Sequence, residues 1–147
     1  MLKIDHALYV HAPISLVYAF WTRFEDYPSF MQGVLTVKRP TWTRLVWHAN
    51  YAGDYETWEA RLIVRSKNET LAWESVNHRT NDVRLEFYPI APDLTLLKLH
   101  AEYEMLHILE DVGSTLGAVA QRFYGDLVRA QYVIEGNTPH LVAVALN

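Results

Sequence analysis

Hydrophobic and polar side chains alternate along six successive segments of the chain, between breaks rich in Gly, Pro, Asn and Asp. A period of two is typical of half-buried β-strands, and the short breaks favour antiparallel pairing of consecutive strands. Residues 2–12 alternate in the same way, so the pattern predicts seven strands in all. The other six predicted strands cover residues 34–40, 44–51, 55–66, 69–76, 82–89 and 94–106.

Helical spacing of apolar residues occurs in three further segments. Residues 14–21 follow Pro13, which suits the first turn of a helix because its missing N–H is not needed there. A second short helical turn is predicted over residues 25–31, separate from the first because Pro28 cannot continue a helix. From residue 113 to about 135 an apolar stripe at spacings of three and four predicts a helix roughly 33 Å long.

The sizes of these elements predict a hollow. Seven strands about 4.8 Å apart make a sheet roughly 29 Å wide, whereas a helix is only about 10–12 Å across. A single helix cannot cover such a sheet, so the sheet is expected to curl around it while the short helices close one end. The predicted fold is therefore α+β: a seven-stranded curved antiparallel sheet around a long C-terminal helix, with two short helices after strand 1.

The alternation also nominates residues that line the hollow. Aromatic residues make up 13% of the chain, and many lie on the apolar face of the predicted strands. Any one of them is more often an ordinary core residue, but together they favour a pocket for flat apolar molecules, oriented by one or two hydrogen bonds. The candidate ligand-binding residues are His6, Phe30, Met31, Trp47, Tyr51, Trp58, Leu62, Trp73, Ser75, Phe87, Tyr103 and Phe123.

Charge and composition exclude several classes of function. The net charge is −4 and the 13 Lys and Arg residues are scattered, so nucleic-acid binding, which needs clustered cations, is not expected. There is no cysteine, and the 7 histidines lack the spacing of metal ligands, so neither a metal nor a cofactor is expected. Without an apolar run of about 18 residues or a signal-peptide pattern, a cytoplasmic protein with no membrane span is expected.

One histidine falls on the apolar face of a predicted strand. Histidine is the residue type suited to act as a general acid or base near neutral pH, so His6 is a candidate for that role. The alternative, a histidine held in the core or at an interface by a neighbour, is the more common arrangement. No catalytic residue is assigned from the sequence.

The segment "VHAPISLVYAFWTRFEDYPSFMQGV" at residues 10–34 resembles the opening of the polyketide cyclase/dehydrase-like proteins of the START and Bet v 1-like (SRPBCC) superfamily. These proteins begin with a strand ending in Ala-Pro, a helix and a Tyr-Pro-x-Phe turn. "TWEARL" at 57–62 and "LAWES" at 71–75 occupy the places of the family's next strands. The resemblance implies a helix-grip fold, with residues 1–136 forming a single ligand-binding domain.

The same resemblance implies binding of a hydrophobic small molecule, aromatic or polyketide-, quinone- or lipid-like, in an internal cavity. The alternative is a cyclase/dehydratase-type enzyme that acts on a cavity-bound substrate. In the aromatase/cyclase pattern a Trp is followed at alternate positions by a Ser and an Arg, whereas here Trp58 is followed by Ala60 and Leu62. Residues 137–147 form an apolar tail, which is expected to pack on a sheet edge or across a homodimer.

Overall fold

A computed structural model describes residues 2–76, 80–104 and 112–136, with the side chains of the last segment described from residue 118. The bounds of the strands and helices follow the predicted segments closely. In chain order they are β1 (Leu2–Val10), α1 (Ile14–Thr22), a 3-10 helix (Phe24–Ser29), β2 (Val34–Lys38), β3 (Arg44–Tyr51), β4 (Asp54–Ser66), β5 (Thr70–Val76), β6 (Asn81–Ala91), β7 (Leu94–Tyr103) and α2 (Val112–Gly136).

The strands form a seven-stranded antiparallel sheet in the order β1-β7-β6-β5-β4-β3-β2. Each strand from β2 to β6 pairs with the next one in sequence, and β1 pairs with β7 along its whole length. The curved sheet with the long α2 and the short helices after β1 is the helix-grip fold that the pattern and the resemblance predict. The tail at residues 137–147 lies outside the described residues, so its packing and the domain boundary at 136 stay predictions.

The core lies between the inner face of the sheet and the helices, as the alternation predicts. On α2 the predicted apolar stripe places Leu127, Ala130 and Ile134 among the most buried side chains. Val64 departs from the alternation, because the register of β4 against β5 shifts after Leu62 and leaves Val64 only half-buried. None of the helices in the described part of the chain is long and apolar enough to cross a membrane.

Strand β6 is longer than the pattern predicts. The strand predicted over residues 82–89 continues to Ala91, and Pro89 pairs with Thr95 of β7 just before a register shift. Proline has no N–H to donate, so it is tolerated where one side of a strand is unpaired. In the described residues β5 pairs with β6 only through Thr70–Trp73, which leaves that side of β6 free at Pro89.

On the outer face of the sheet, His100 of β7 joins its two neighbouring strands. Its Nδ1 lies 2.5 Å from an Asp5 carboxylate oxygen on β1, and its Nε2 lies 2.9 Å from a Glu86 carboxylate oxygen on β6. The hydrogen bond with Asp5 and then that with Glu86 raise the pKa of His100 above its ordinary value, although partial burial opposes them. The His100 side chain therefore joins β1, β7 and β6 on the outer face of the sheet.

Candidate ligand cavity

A cavity of about 40 Å³ lies between α2 and the inner face of the sheet. Side chains from both helices, the loop before β2 and most of the strands contribute to its lining. Half of the candidate residues from the sequence line it, and these six come from β3, β4, β5, α2 and that loop. They are Met31, Trp47, Tyr51, Trp58, Trp73 and Phe123.

Three stacked indoles form one wall of the cavity. Trp47 on β3 and Trp58 on β4 are directly paired, and their rings stack with centroids 5.5 Å apart and planes 6° apart. The Trp73 ring lies 6.1 Å from Trp47 at an angle of 28°. The Trp47 Nε1–H is buried and finds no acceptor among the described residues. We call Trp47, Trp58 and Trp73 the tryptophan wall; its geometry suits a flat aromatic ring laid parallel to it.

Tyr27 of the 3-10 helix packs against the tryptophan wall, outside the lining of the cavity. This residue is fully buried, and its hydroxyl donates a hydrogen bond to the Trp21 backbone carbonyl at 2.6 Å. Its ring also lies 5.7 Å from that of Trp47 and 5.4 Å from that of Phe30. Burial raises the pKa of the Tyr27 phenol well above its ordinary value, so the phenol stays neutral. The segment with Tyr27 and Pro28 therefore packs as part of the core.

Gly33 lies between the 3-10 helix and β2, close to Tyr51 of β3. Its φ is +85°, a conformation that side chains disfavour, and a Cβ there would lie 2.6 Å from Tyr51 Cδ1. Glycine thus lets the Tyr51 ring lie against the backbone where the chain enters β2. The close approach fixes Tyr51 at the edge of the cavity.

Polar side chains of α2 form the other edge. The Arg122 guanidinium lies 4.0 Å from the centroid of the Tyr51 ring and 5.6 Å from those of Tyr103 and Phe123. All of these side chains except Tyr103 line the cavity and are half-buried. We call this edge, formed by Tyr51, Arg122 and Phe123, the mouth.

Asp126 lies one turn further along α2, in the cavity lining, and is 8% exposed. Its Oδ1 accepts hydrogen bonds from the Gln32 backbone N–H at 3.0 Å and from Arg129 at 2.5 Å. Burial raises the pKa of the Asp126 carboxyl, while the Gln32 and Arg129 hydrogen bonds act against the rise. Arg129 also donates from Nε to the Phe30 carbonyl at 2.7 Å. These bonds fasten α2 to the loop after the 3-10 helix.

Sequence reasoning missed several lining residues, notably Trp21, Asn81, Arg122 and Asp126. The two charged residues flank the apolar stripe of α2 and are four apart, so they lie on one side of the helix. That spacing was the available signal. It could not be used without knowing how α2 is rotated about its axis against the sheet.

Three of the other candidates lie in the core beside the cavity, outside its described lining. Phe30 is 3% exposed and packs in the aromatic cluster of α1 and the 3-10 helix, and the Phe87 ring lies 5.3 Å from that of Tyr18 on α1. Leu62 pairs with Trp73 across β4 and β5 and is 9% exposed. Their contact with a ligand stays a prediction.

Ser75 and His6 make hydrogen bonds that join elements of the fold. The Ser75 hydroxyl oxygen accepts from the Asn81 backbone N–H at 3.0 Å, and the Ser75 N–H donates to an Asp82 carboxylate oxygen at 2.9 Å. His6 Nε2 lies 3.0 Å from the Ala120 carbonyl of α2. A carbonyl only accepts, so Nε2 carries the hydrogen and β1 is tied to α2. Neither side chain is in the described lining.

The side chains fill most of the hollow that the sheet encloses. A cavity of about 40 Å³ holds a few water molecules, whereas pockets for small organic ligands measure about 300–1,000 Å³. An organic ligand therefore needs side chains of the mouth to move. Among the described residues no cluster of His, Asp or Glu is arranged to hold a metal ion.

Comparisons with known proteins agree with this geometry. The profile of a family described as polyketide cyclase/dehydrase and lipid transport matches residues 10–133. The fold defines a helix-grip protein, and the chain belongs to the polyketide cyclase/dehydrase and lipid transport family. An uncharacterized 17.2 kDa protein from the melC2–rnhH intergenic region of Streptomyces lincolnensis is 29% identical over 136 residues, covering 92% of this chain and 91% of that protein.

Solved structures share the fold at low sequence identity. A START superfamily protein from Mycobacterium smegmatis aligns with a TM-score of 0.79 at 16% identity, covering 92% of this chain and 99% of that one. The Zhui aromatase/cyclase from Streptomyces sp. R1128 aligns with a TM-score of 0.72 at 14% identity, covering 91% and 93%. The helix-grip fold expected from the sequence is thereby confirmed.

Proposed function

We propose that this protein binds a flat, hydrophobic small molecule between α2 and the tryptophan wall. The observation that carries the proposal is the set of stacked indoles at Trp47, Trp58 and Trp73, which line the same cavity as the half-buried side chains of the mouth. Membership of a family of polyketide cyclases, dehydrases and lipid-transport proteins supports hydrophobic ligand binding. The ligand enters where Phe123 and Met31 can turn outward.

The size of the wall sets the expected affinity. A two-ring aromatic ligand buries about as much surface as a tryptophan side chain, roughly 200 Å². At about 25 cal/mol per Å² this area contributes about 5 kcal/mol. Stacking adds about 1 kcal/mol. A total of about 6 kcal/mol corresponds to a Kd of roughly 0.04 mM, which is a lower limit on Kd because association also costs translational and rotational freedom and the mouth side chains must move.

Two apolar residues of β4, Ala60 and Leu62, favour ligand binding over ring-closing catalysis. Ala60 is fully buried and Leu62 nearly so, at the two positions where the aromatase/cyclase pattern has Ser and Arg. Neither side chain can donate or accept a proton. The enzyme alternative thus lacks its expected polar groups on β4, and nothing in the cavity lining replaces them at those positions.

Several sequence predictions belong to the same proposal. The protein is cytoplasmic, residues 1–136 form the ligand-binding domain, and the tail at 137–147 packs on a sheet edge or across a homodimer. Removing the tail tests the last point by size-exclusion chromatography and urea unfolding. Unchanged mass and unchanged stability would refute it.

Binding is tested by calorimetric titration of the purified protein with 2-naphthamide, quinones, flavonoids and fatty acids. Trp58→Leu removes part of the wall and is expected to weaken 2-naphthamide binding at least fivefold, because the stacking surface is lost. Trp42→Leu is the matched control, since Trp42 is 79% exposed and outside the cavity lining. If the wild-type protein binds none of the compounds, the proposal is wrong whatever the variants do.

A further inference from the structure

Arg122 is a cation at the mouth with unused hydrogen-bond donors. No carboxylate, carbonyl or hydroxyl among the described residues accepts a hydrogen bond from its guanidinium. Its contacts are the ring faces of Tyr51, Tyr103 and Phe123. Contacts with ring faces hold the guanidinium plane in place but leave the N–H groups at its edge available.

Arg129, on the same helix, shows the contrast. Its Nε donates to the Phe30 carbonyl at 2.7 Å, and a terminal nitrogen donates to Asp126 at 2.5 Å. Asp126 is thereby satisfied by Arg129 and by the Gln32 N–H, although the charge of Arg122 is also felt at its carboxyl. The carboxylate in the lining is thus already hydrogen-bonded, whereas Arg122 is free to pair with another anion.

We propose that the ligand carries a carboxylate or a similar anionic group, which Arg122 binds at the mouth while the aromatic body stacks on the tryptophan wall. This inference rests on the proposed function and names its substrate class: aromatic or polycyclic acids. The planar guanidinium presents paired donors that match a carboxylate, and the rings beneath it reduce the freedom lost on binding.

The net charge of the chain means that an anionic ligand needs a local cation in order to bind. A net charge of −4 repels anions in general, so anion binding here needs a local cation rather than a diffuse field. Arg122 supplies that cation at the edge of an apolar pocket, where water is partly excluded. The protein is expected to prefer an aromatic acid to its neutral amide of the same shape.

The test compares 2-naphthoate with 2-naphthamide, which differ in charge but hardly in shape, by calorimetric titration at pH 7. Wild-type protein should bind the naphthoate about tenfold more tightly, the effect of one charge-assisted pair at a half-buried site. Arg122→Gln should abolish that preference, so that this variant binds the naphthoate and the naphthamide with about equal affinity. Arg122→Lys, which keeps the charge without the planar fork, should keep part of the preference.

Arg61→Gln is the matched control, because Arg61 is exposed on β4 and its loss changes net charge equally. It should retain the full preference. Equal wild-type affinity for the two probes, or a preference that survives in Arg122→Gln, would overturn the anion inference and leave the proposed function standing. Binding of neither probe would overturn both. Should Arg122→Gln fail to fold, the wild-type preference and its reduction in Arg122→Lys still decide the matter.

Discussion

The Tyr27 hydroxyl is expected to contribute measurably to the free energy of unfolding. Tyr27→Phe removes a single oxygen from a fully buried ring and leaves the Trp21 carbonyl without its donor at 2.6 Å. Trp21 lies in the last turn of α1, where backbone carbonyls have no donor within the helix. The substitution therefore unpairs a buried acceptor while ring packing stays almost the same.

The expected loss follows from that geometry. An unsatisfied buried acceptor costs roughly 1–3 kcal/mol, and the void left by one oxygen is small, so we expect about 1.5–2 kcal/mol. For a chain of this size that corresponds to a fall in Tm of roughly 3–8 °C. The slope of the urea transition should not change, because the surface exposed on unfolding is the same.

Urea unfolding followed by circular dichroism measures the effect. Tyr55→Phe is the control, since Tyr55 is 75% exposed. This substitution should change the free energy of unfolding by no more than about 0.5 kcal/mol. Burial raises the pKa of Tyr27, so the unfolded chain ionises first and this stability is lost above about pH 10. The difference in free energy of unfolding between the wild type and Tyr27→Phe should therefore decrease above about pH 10. A loss at pH 7 no larger than that of the control would refute the buried hydrogen bond.

Two further predictions concern the sheet. The folded-state pKa of His100 is raised, so its stabilising charge is fully present below about pH 6.5 and lost as pH rises through the folded pKa; screening at this exposed site limits it to a few tenths of a kcal/mol. His100→Gln should reduce the change in the urea midpoint between pH 6 and 8. A midpoint that depends on pH as strongly as in the wild type would contradict this role of His100. Gly33→Ala should lower the free energy of unfolding by roughly 1–3 kcal/mol and weaken ligand binding, because the added Cβ clashes with the Tyr51 ring. Gly53→Ala has a similar φ of +91° but open space around it, so equal losses in the two variants would rule out the clash.

The strands could be predicted from the sequence because only one of their faces is buried. A shift of one residue would expose the tryptophans, so alternation fixes both the strand and its orientation, as at Trp47 and Trp58. The exception is Val64, where a register shift breaks the alternation. Pro89 ends the strand predicted over residues 82–89, and the continuation of β6 to Ala91 depends on its unpaired side, which the pairing between strands sets.

The cavity could be predicted only in part. The width of the sheet against a single helix indicates a hollow, but its volume is the small difference between the enclosed space and the side chains that fill it. Large side chains such as Trp58 and Phe123 occupy most of that space, leaving about 40 Å³. The mouth was missed because Arg122 reaches it only through the rotation of α2, which tertiary packing sets.

The central claim is that a flat ligand stacks on the tryptophan wall. It is tested most directly by ¹H–¹⁵N correlation spectra of the indole N–H groups of the 5 tryptophans during titration with 2-naphthamide. We expect the resonances of Trp47, Trp58 and Trp73 to shift together and to saturate, while that of the exposed Trp42 stays in place. If those three resonances stay fixed at saturating ligand, or only Trp42 moves, the cavity is not the binding site.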